Sequence, residues 1–292
     1  MRSQLKPPMI LIGNPRSGTS LLSRCFGFLD GVAAWGELPT VWRTGHVRHP
    51  DDRFTVKMAT PRLARRIRQS FLAYQEAHEG RRIFDKTPSH VLRIPFIHAV
   101  LPEAKFLRIV RDGRDVVSSA FTYWTKKPKP NLKRSIRKQL LRTRVVEWPL
   151  YLPRLLDYVK VQIGVKKRLN YWGVVYPGMQ QDLATMELIE VVARQWVVGV
   201  ETARADLAEL DSSRWLEVSY EDLVRQPQEV FAVILEFFGL EMTPALEQFL
   251  ATEISASAVG VHRQRLRPDQ IAKITPILRP TMKRLGYDVD NA

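Results

Sequence analysis

Met9-Ile-Leu-Ile-Gly13-Asn-Pro-Arg-Ser-Gly18-Thr-Ser20 decides the fold. Four apolar residues in a row read as a short strand buried on both faces. They run into a Gly-(four residues)-Gly turn. Beyond it, Leu21, Leu22, Cys25 and Phe26 share one face, which predicts a helix from Gly18 to Leu29. A strand–loop–helix with this spacing wraps an anion in backbone N–H groups at the positive end of the helix. Nucleoside-triphosphate loops carry Lys directly after the second glycine and then Ser/Thr for magnesium. Here Thr19 takes that place, and the positive charge comes earlier, at Arg16, with hydroxyls at Ser17, Thr19 and Ser20. The loop suits a phosphate-like ester without a γ-phosphate lysine. The plainer alternative is a glycine turn that caps a helix.

Outward from this loop, short apolar runs alternate with helical periodicity. Strands are predicted at Gly31 to Trp35, Arg82 to Asp85, Lys105 to Val110 and Arg214 to Ser219. Helices are predicted at Pro61 to His78, Pro88 to Val100, the turn after Val110 through Tyr123, Leu183 to Leu210, Pro227 to Phe238 and Gln270 to Leu285. Trp196, Phe231, Phe237 and Phe238 read as core. The alternation predicts a three-layer α/β sandwich around a mainly parallel sheet, one domain over 1–292. The chain has 292 residues, 45% hydrophobic and 26% charged, so it buries a sizeable core and is not a disordered chain. No run of about 18 uncharged apolar residues marks a membrane span. A single cysteine, Cys25, excludes an internal disulfide and a cysteine-rich metal site, which fits a reducing, cytoplasmic setting.

The net charge is +15, and its placement is uneven. Between Lys126 and Arg168 fourteen Lys/Arg face two acids, Glu147 and Asp157, a local net of +12. The remainder is nearly neutral, so the charge does not describe a nucleic-acid-binding protein. The basic stretch, 126–172, interleaves its cations with Trp148, Tyr151, Leu155, Leu156 and Tyr158. It fits a peripheral contact with an anionic membrane surface, a lid over an anionic or lipid-linked acceptor, or a solvated helical insertion.

A second anion site is predicted after Val110. Arg111-Asp-Gly-Arg-Asp-Val-Val-Ser-Ser119 also turns into a helix, bringing Arg111 and Ser119 toward one phosphate. The alternative is an Asp-Gly turn with surface ion pairs among Arg111, Asp112, Arg114 and Asp115. The ordered pair PRSGTSLL at 15–22 and RIVRDGRDVVSS at 108–119 resembles the two cofactor motifs of sulfotransferases that use 3′-phosphoadenosine 5′-phosphosulfate (PAPS). SYEDLVRQP at 219–227 is similar to that family's later Tyr-Glu-Asp segment. The resemblance spans roughly 9–124 and 183–290. Arg16 with Leu21 resembles the bacterial and Golgi-type carbohydrate and protein-tyrosine branches more than the small-molecule cytosolic branch.

The resemblance implies a P-loop-like fold and a set of roles. Arg16, Ser17, Gly18, Thr19 and Ser20 would cradle the 5′-phosphosulfate. Arg111 and Ser119 would bind the 3′-phosphate, and Tyr220 would approach the adenine. Either Arg263 or Arg265 would add a cation to the 3′-phosphate. Lys86, in Phe84-Asp-Lys-Thr-Pro88, resembles the family's acceptor-side lysine and would join Arg16 in stabilising the transferred group. Glu37, in Trp35-Gly-Glu-Leu-Pro39, would be the base, sheltered beside Trp35, with His90 as the other candidate. The implied reaction needs positioning, cations and a base, with no metal. It yields adenosine 3′,5′-bisphosphate and a sulfated hydroxyl, on a glycan or lipid-linked acceptor by preference. Two other classes remain open on the residues alone: a P-loop kinase or NTPase, and a basic module that binds membrane or nucleic acid.

Overall fold

Alternation along the strands sets the layers. The computed structural model describes residues 4–125 and 172–289. Its first part runs β1 (Met9–Ile12), α1 (Thr19–Phe26), β2 (Val32–Trp35), α2 (Pro39–Trp42), α3 (Pro61–Ala77), β3 (Arg82–Lys86), α4 (Ile94–Val100), β4 (Lys105–Val110) and α5 (Gly113–Thr125). The second part runs α6 (Met179–Thr185), α7 (Leu188–Ala208), β5 (Trp215–Ser219), α8 (Tyr220–Arg225), α9 (Pro227–Phe238), α10 (Pro244–Thr252), α11 (His262–Arg265) and α12 (Pro268–Arg284).

Five strands, all parallel, lie in the order β2-β3-β1-β4-β5. Met9 and Leu11 of β1 point to one face, with Phe84, Leu107 and Ile109, against α1, α9 and α10. Ile10 and Ile12 point to the other, with Ile83 and Phe106, against α3, α4, α5, α7 and α12. The period of two thus feeds two separate cores and makes three layers. Phe26 stacks on Phe84 with ring centroids 3.8 Å apart and planes 11° apart. Burying each such side chain contributes roughly 1.5–3 kcal/mol. Cys25 is fully buried in the same core, and burial pushes its thiol up to about 12, so it is an inert packing residue.

The pairing Leu11↔Lys86, Ile12↔Arg108 and Val110↔Ser219 aligns the carboxyl ends of β1, β3, β4 and β5. The loops that follow therefore meet at one sheet edge, where open parallel sheets hold their ligands.

Two predicted helices divide. Pro88 to Val100 becomes a 3₁₀ turn, Pro88–Leu92, and then α4, with non-helical backbone at Arg93 (φ −140°, ψ 22°) between them. Pro95 has no N–H and fits only a first turn, so the helix restarts at Ile94. Leu183 to Leu210 becomes α6 and α7, because Glu187 caps α7 and Glu190 reciprocates. Helix α10 was not read from the sequence, although Thr243-Pro244 is a start signal; the Thr243 hydroxyl accepts from the Leu246 N–H at 3.2 Å. The basic stretch lies outside the described residues except for Trp172. No helix among the described residues is long and apolar enough to cross a membrane.

Candidate active site

The loop between β1 and α1 is held in a shape its residues would not adopt alone. Arg16 lies in the left-handed region at φ 73°, which costs a non-glycine residue about 1–2 kcal/mol. Two contacts hold it there: the Arg111 Nη1 donates to the Arg16 carbonyl at 3.0 Å, and the Ser17 N–H donates to the Asn14 carbonyl at 3.1 Å. Gly18 follows at φ 92°, where a Cβ would also stand 2.5 Å from Tyr220 Cδ2. Among the described residues the N–H groups of Arg16 and Gly18 have no acceptor within the chain. Those of Thr19 and Ser20 open α1 and have no partner in its first turn. These four donors fit an anion.

Helix α7 supports the loop from behind. Asn14 donates through Nδ2 to the Trp196 carbonyl at 2.8 Å, and Gly199 leaves room for it. A Cβ at Gly199 would lie 2.1 Å from Asn14 Oδ1. Gly199→Ala is therefore expected to lower stability by about 1–3 kcal/mol through overpacking. Chemical denaturation would register this as a lower midpoint with an unchanged slope.

The second loop is buried. Arg111, Asp112, Arg114 and Asp115 are 6%, 8%, 8% and 0% exposed, so the alternative of surface ion pairs does not hold. Asp115 accepts from the N–H groups of Gly260 and His262 and from His262 Nδ1, at 2.8, 2.9 and 2.7 Å. Those bonds outweigh its burial and hold its carboxyl below the usual range. Arg111 lies 3.7 Å from the same carboxylate, donates to the carbonyls of Arg16 and Ala258, and covers the Tyr220 ring at 4.2 Å. Its Nε is buried without a partner, a donor left over for a ligand. The Ser119 hydroxyl accepts from Arg16 Nε at 2.9 Å, which joins the two loops.

Not every expected role survives the geometry. Tyr220 is 7% exposed and lies under Gly18, so it supports the loop and offers no open face to an adenine. Ser17 is 1% exposed and turned inward. Arg263 and Arg265 are both exposed; the buried anchor of that segment is His262, to which the sequence reading gave no role.

Lys86 and Glu37 face each other, Nζ donating to Oε1 at 2.7 Å. The Glu37 side chain is 57% exposed, not sheltered as expected. Trp35 turns away and stacks on Tyr74 at 4.1 Å. His90 is fully buried and bonded to Asp85 Oδ2 at 3.0 Å. Asp85 also accepts from Trp42 Nε1 and the Thr87 hydroxyl. His90 thus belongs to a core network and does not reach the cleft.

Burial pushes the His90 pKa below its ordinary value, against the opposite pull of Asp85. The unfolded chain then takes up the proton first as pH falls through about 6.5. Stability from the neutral imidazole is complete above that pH and is lost as pH drops toward the folded value. His90→Gln is expected to flatten the melting temperature between about pH 6.5 and 5 relative to the parent chain. Parallel melting curves for the two proteins would refute this.

A cleft of about 430 Å³ opens at this edge. Arg16, Thr19 and Ser20 line it together with Glu37 and Lys86. Tyr123, Trp172, Arg43 and Asp52 are also in its lining. None of these last four was read as a site residue from the sequence. Tyr123 had a signal, since it follows Ser119 by four residues on one helix.

A family model described as the sulfotransferase family matches residues 7–163 and 157–244. It runs through much of the basic stretch that the sequence resemblance left out, and it stops short of α11 and α12. Human carbohydrate sulfotransferase 2 is 26% identical over 263 residues, 83% of this chain and 45% of its own length. Mouse carbohydrate sulfotransferase 7 is 28% identical over 200 residues, 63% of this chain and 39% of its own. The chain spans less than half the length of these two relatives. Among solved structures, a sulfotransferase domain from the curacin biosynthetic pathway aligns with TM-score 0.59 at 15% identity, over 98% of this chain and 99% of that one. A sulfotransferase from Alicyclobacillus acidocaldarius aligns with TM-score 0.54 at 13% identity, over 98% of each. The two solved structures share this fold, and with the family model covering most of its length, this chain belongs to the sulfotransferase family.

Proposed function

We propose that the chain transfers a sulfuryl group from PAPS to a hydroxyl of a carbohydrate. The observation that carries this is one cleft lined both by the anion loop bearing Arg16 and by the Lys86–Glu37 pair. The names of the carbohydrate sulfotransferases above support the acceptor class. When bound, the donor supplies an activated SO₃ unit on a phosphate oxygen.

The chain's own residues do the rest. The free N–H groups at Arg16, Gly18, Thr19 and Ser20 hold the 5′ end, with the Arg16 guanidinium. Arg111 and Ser119 hold the 3′-phosphate. Lys86 and Arg16 bring positive charge to the transferred group, as phosphoryl transfer requires by analogy. Glu37 takes the acceptor's hydroxyl proton as general base. A lipid-linked glycan is the finer form of this acceptor, drawn from the amphipathic character of the basic stretch.

Thermal shift tests the donor reading. Saturating adenosine 3′,5′-bisphosphate is expected to raise the melting temperature by roughly 5 °C or more, and AMP by much less. A larger, magnesium-dependent shift with ATP would favour a kinase or NTPase instead.

A further inference from the structure

We infer that Tyr123 and Trp172 form a stacking shelf for a pyranose ring of the acceptor, at the mouth of the cleft. This deepens the acceptor reading above and rests on it.

Tyr123 is 54% exposed on a helix whose neighbouring Val117, Ala120 and Trp124 are buried. Its ring stands 4.9 Å from that of Trp172, tilted by 37°. The Arg16 guanidinium lies 5.5 Å from its centroid. Arg16 Nε also holds Ser119, four residues earlier on α5. One arginine thus touches both the second anion loop and the aromatic pair, which fixes the pair beside the donor loop.

The chemistry of the two walls selects the ligand. Aromatic faces are negative and apolar, and match the C–H face of a sugar ring. The rest of the lining includes Lys86, Glu37 and Ser89, whose polar groups can take hydrogen bonds beyond the Lys86–Glu37 pair. A polyol offers several hydroxyls to such groups, whereas a phenol would stack but bring only one. The volume, about 430 Å³, lies within the small-molecule range.

Saturation-transfer NMR on the protein loaded with adenosine 3′,5′-bisphosphate tests the shelf. The probes are methyl glycosides of glucose, galactose, mannose and N-acetylglucosamine, with phenol as the control. Ring C–H protons of at least one glycoside are expected to saturate more strongly than phenol. The signal should fall about fivefold or more in Tyr123→Leu and Trp172→Ala and persist in Tyr123→Phe. Each variant should keep the thermal shift with the bisphosphate, which reports an intact fold and donor site. Absence of any glycoside signal, a signal insensitive to both substitutions, or a stronger phenol signal would overturn the shelf while leaving the donor reading standing. Loss of the bisphosphate shift in the parent protein would instead strike the donor reading itself.

Discussion

Glu37→Gln is expected to cut turnover by about 100-fold or more while leaving the affinity for adenosine 3′,5′-bisphosphate unchanged. The carboxylate lines the same cleft as the anion loop, 2.7 Å from Lys86 Nζ and 57% exposed, so an incoming hydroxyl has access to it. Gln keeps the shape and accepts from Lys86 but cannot take a proton. The proposed donor contacts involve the anion loop and Arg111 and not Glu37, so donor binding should not respond. Transfer of labelled sulfate from PAPS into the glycan fraction of an extract, with calorimetric titration of the bisphosphate alongside, separates the two effects. His90 is not available to take over, because it is buried on Asp85. Asp52 also lines the cleft, but its oxygens already accept from Arg43, Arg93 and the Val175 N–H. Near-normal turnover would mean that no side chain acts as base at this wall.

Arg111→Ala is expected to weaken binding of adenosine 3′,5′-bisphosphate by on the order of 100-fold, the equivalent of two charge-assisted hydrogen bonds of about 1.5 kcal/mol each. AMP lacks the 3′-phosphate and should lose far less, so the preference between the two ligands collapses. The position of Arg111 makes the effect large. It links the Arg16 carbonyl, the Ala258 carbonyl, the Asp115 carboxylate and the Tyr220 face. Its removal takes away an anion donor and the clamp on the left-handed Arg16 together. Lysine should restore little, since it has no planar fork. Equal losses for AMP and the bisphosphate would place the effect in the first loop alone.

The sequence reveals this site wherever the determinants are local. The run Met9 to Ile12, the two glycines and the apolar face of α1 sit within a few turns of one another, so periodicity exposes both strand and loop. Glu37 and Lys86 were reached only through resemblance, because nothing in their neighbours marks an acid and a lysine that meet across 49 residues. Asp115 enters the sequence reading only in the alternative, as one of a set of surface ion pairs. Its partners Gly260 and His262 lie 145 and 147 residues away, and only the topology of the sheet brings them back. His90 stays a second candidate base in the sequence for a related reason: a histidine on an apolar segment gives no sign of whether it faces a cleft or an aspartate in the core. The broken helices at Arg93 and Glu187 were legible in principle, through Pro95 and the Glu187–Glu190 pair.

The Asp115 latch bears on where this protein can be cut. The family match stops at residue 244, which invites a shortened version ending there. Such a fragment would strip three donors from a fully buried carboxylate and remove the Ala258 carbonyl from Arg111, unmaking the second loop although its visible motif lies upstream. Homology boundaries would thus mislead anyone choosing an expression limit, since the tail beyond them holds the buried Asp115 and Arg111 in place.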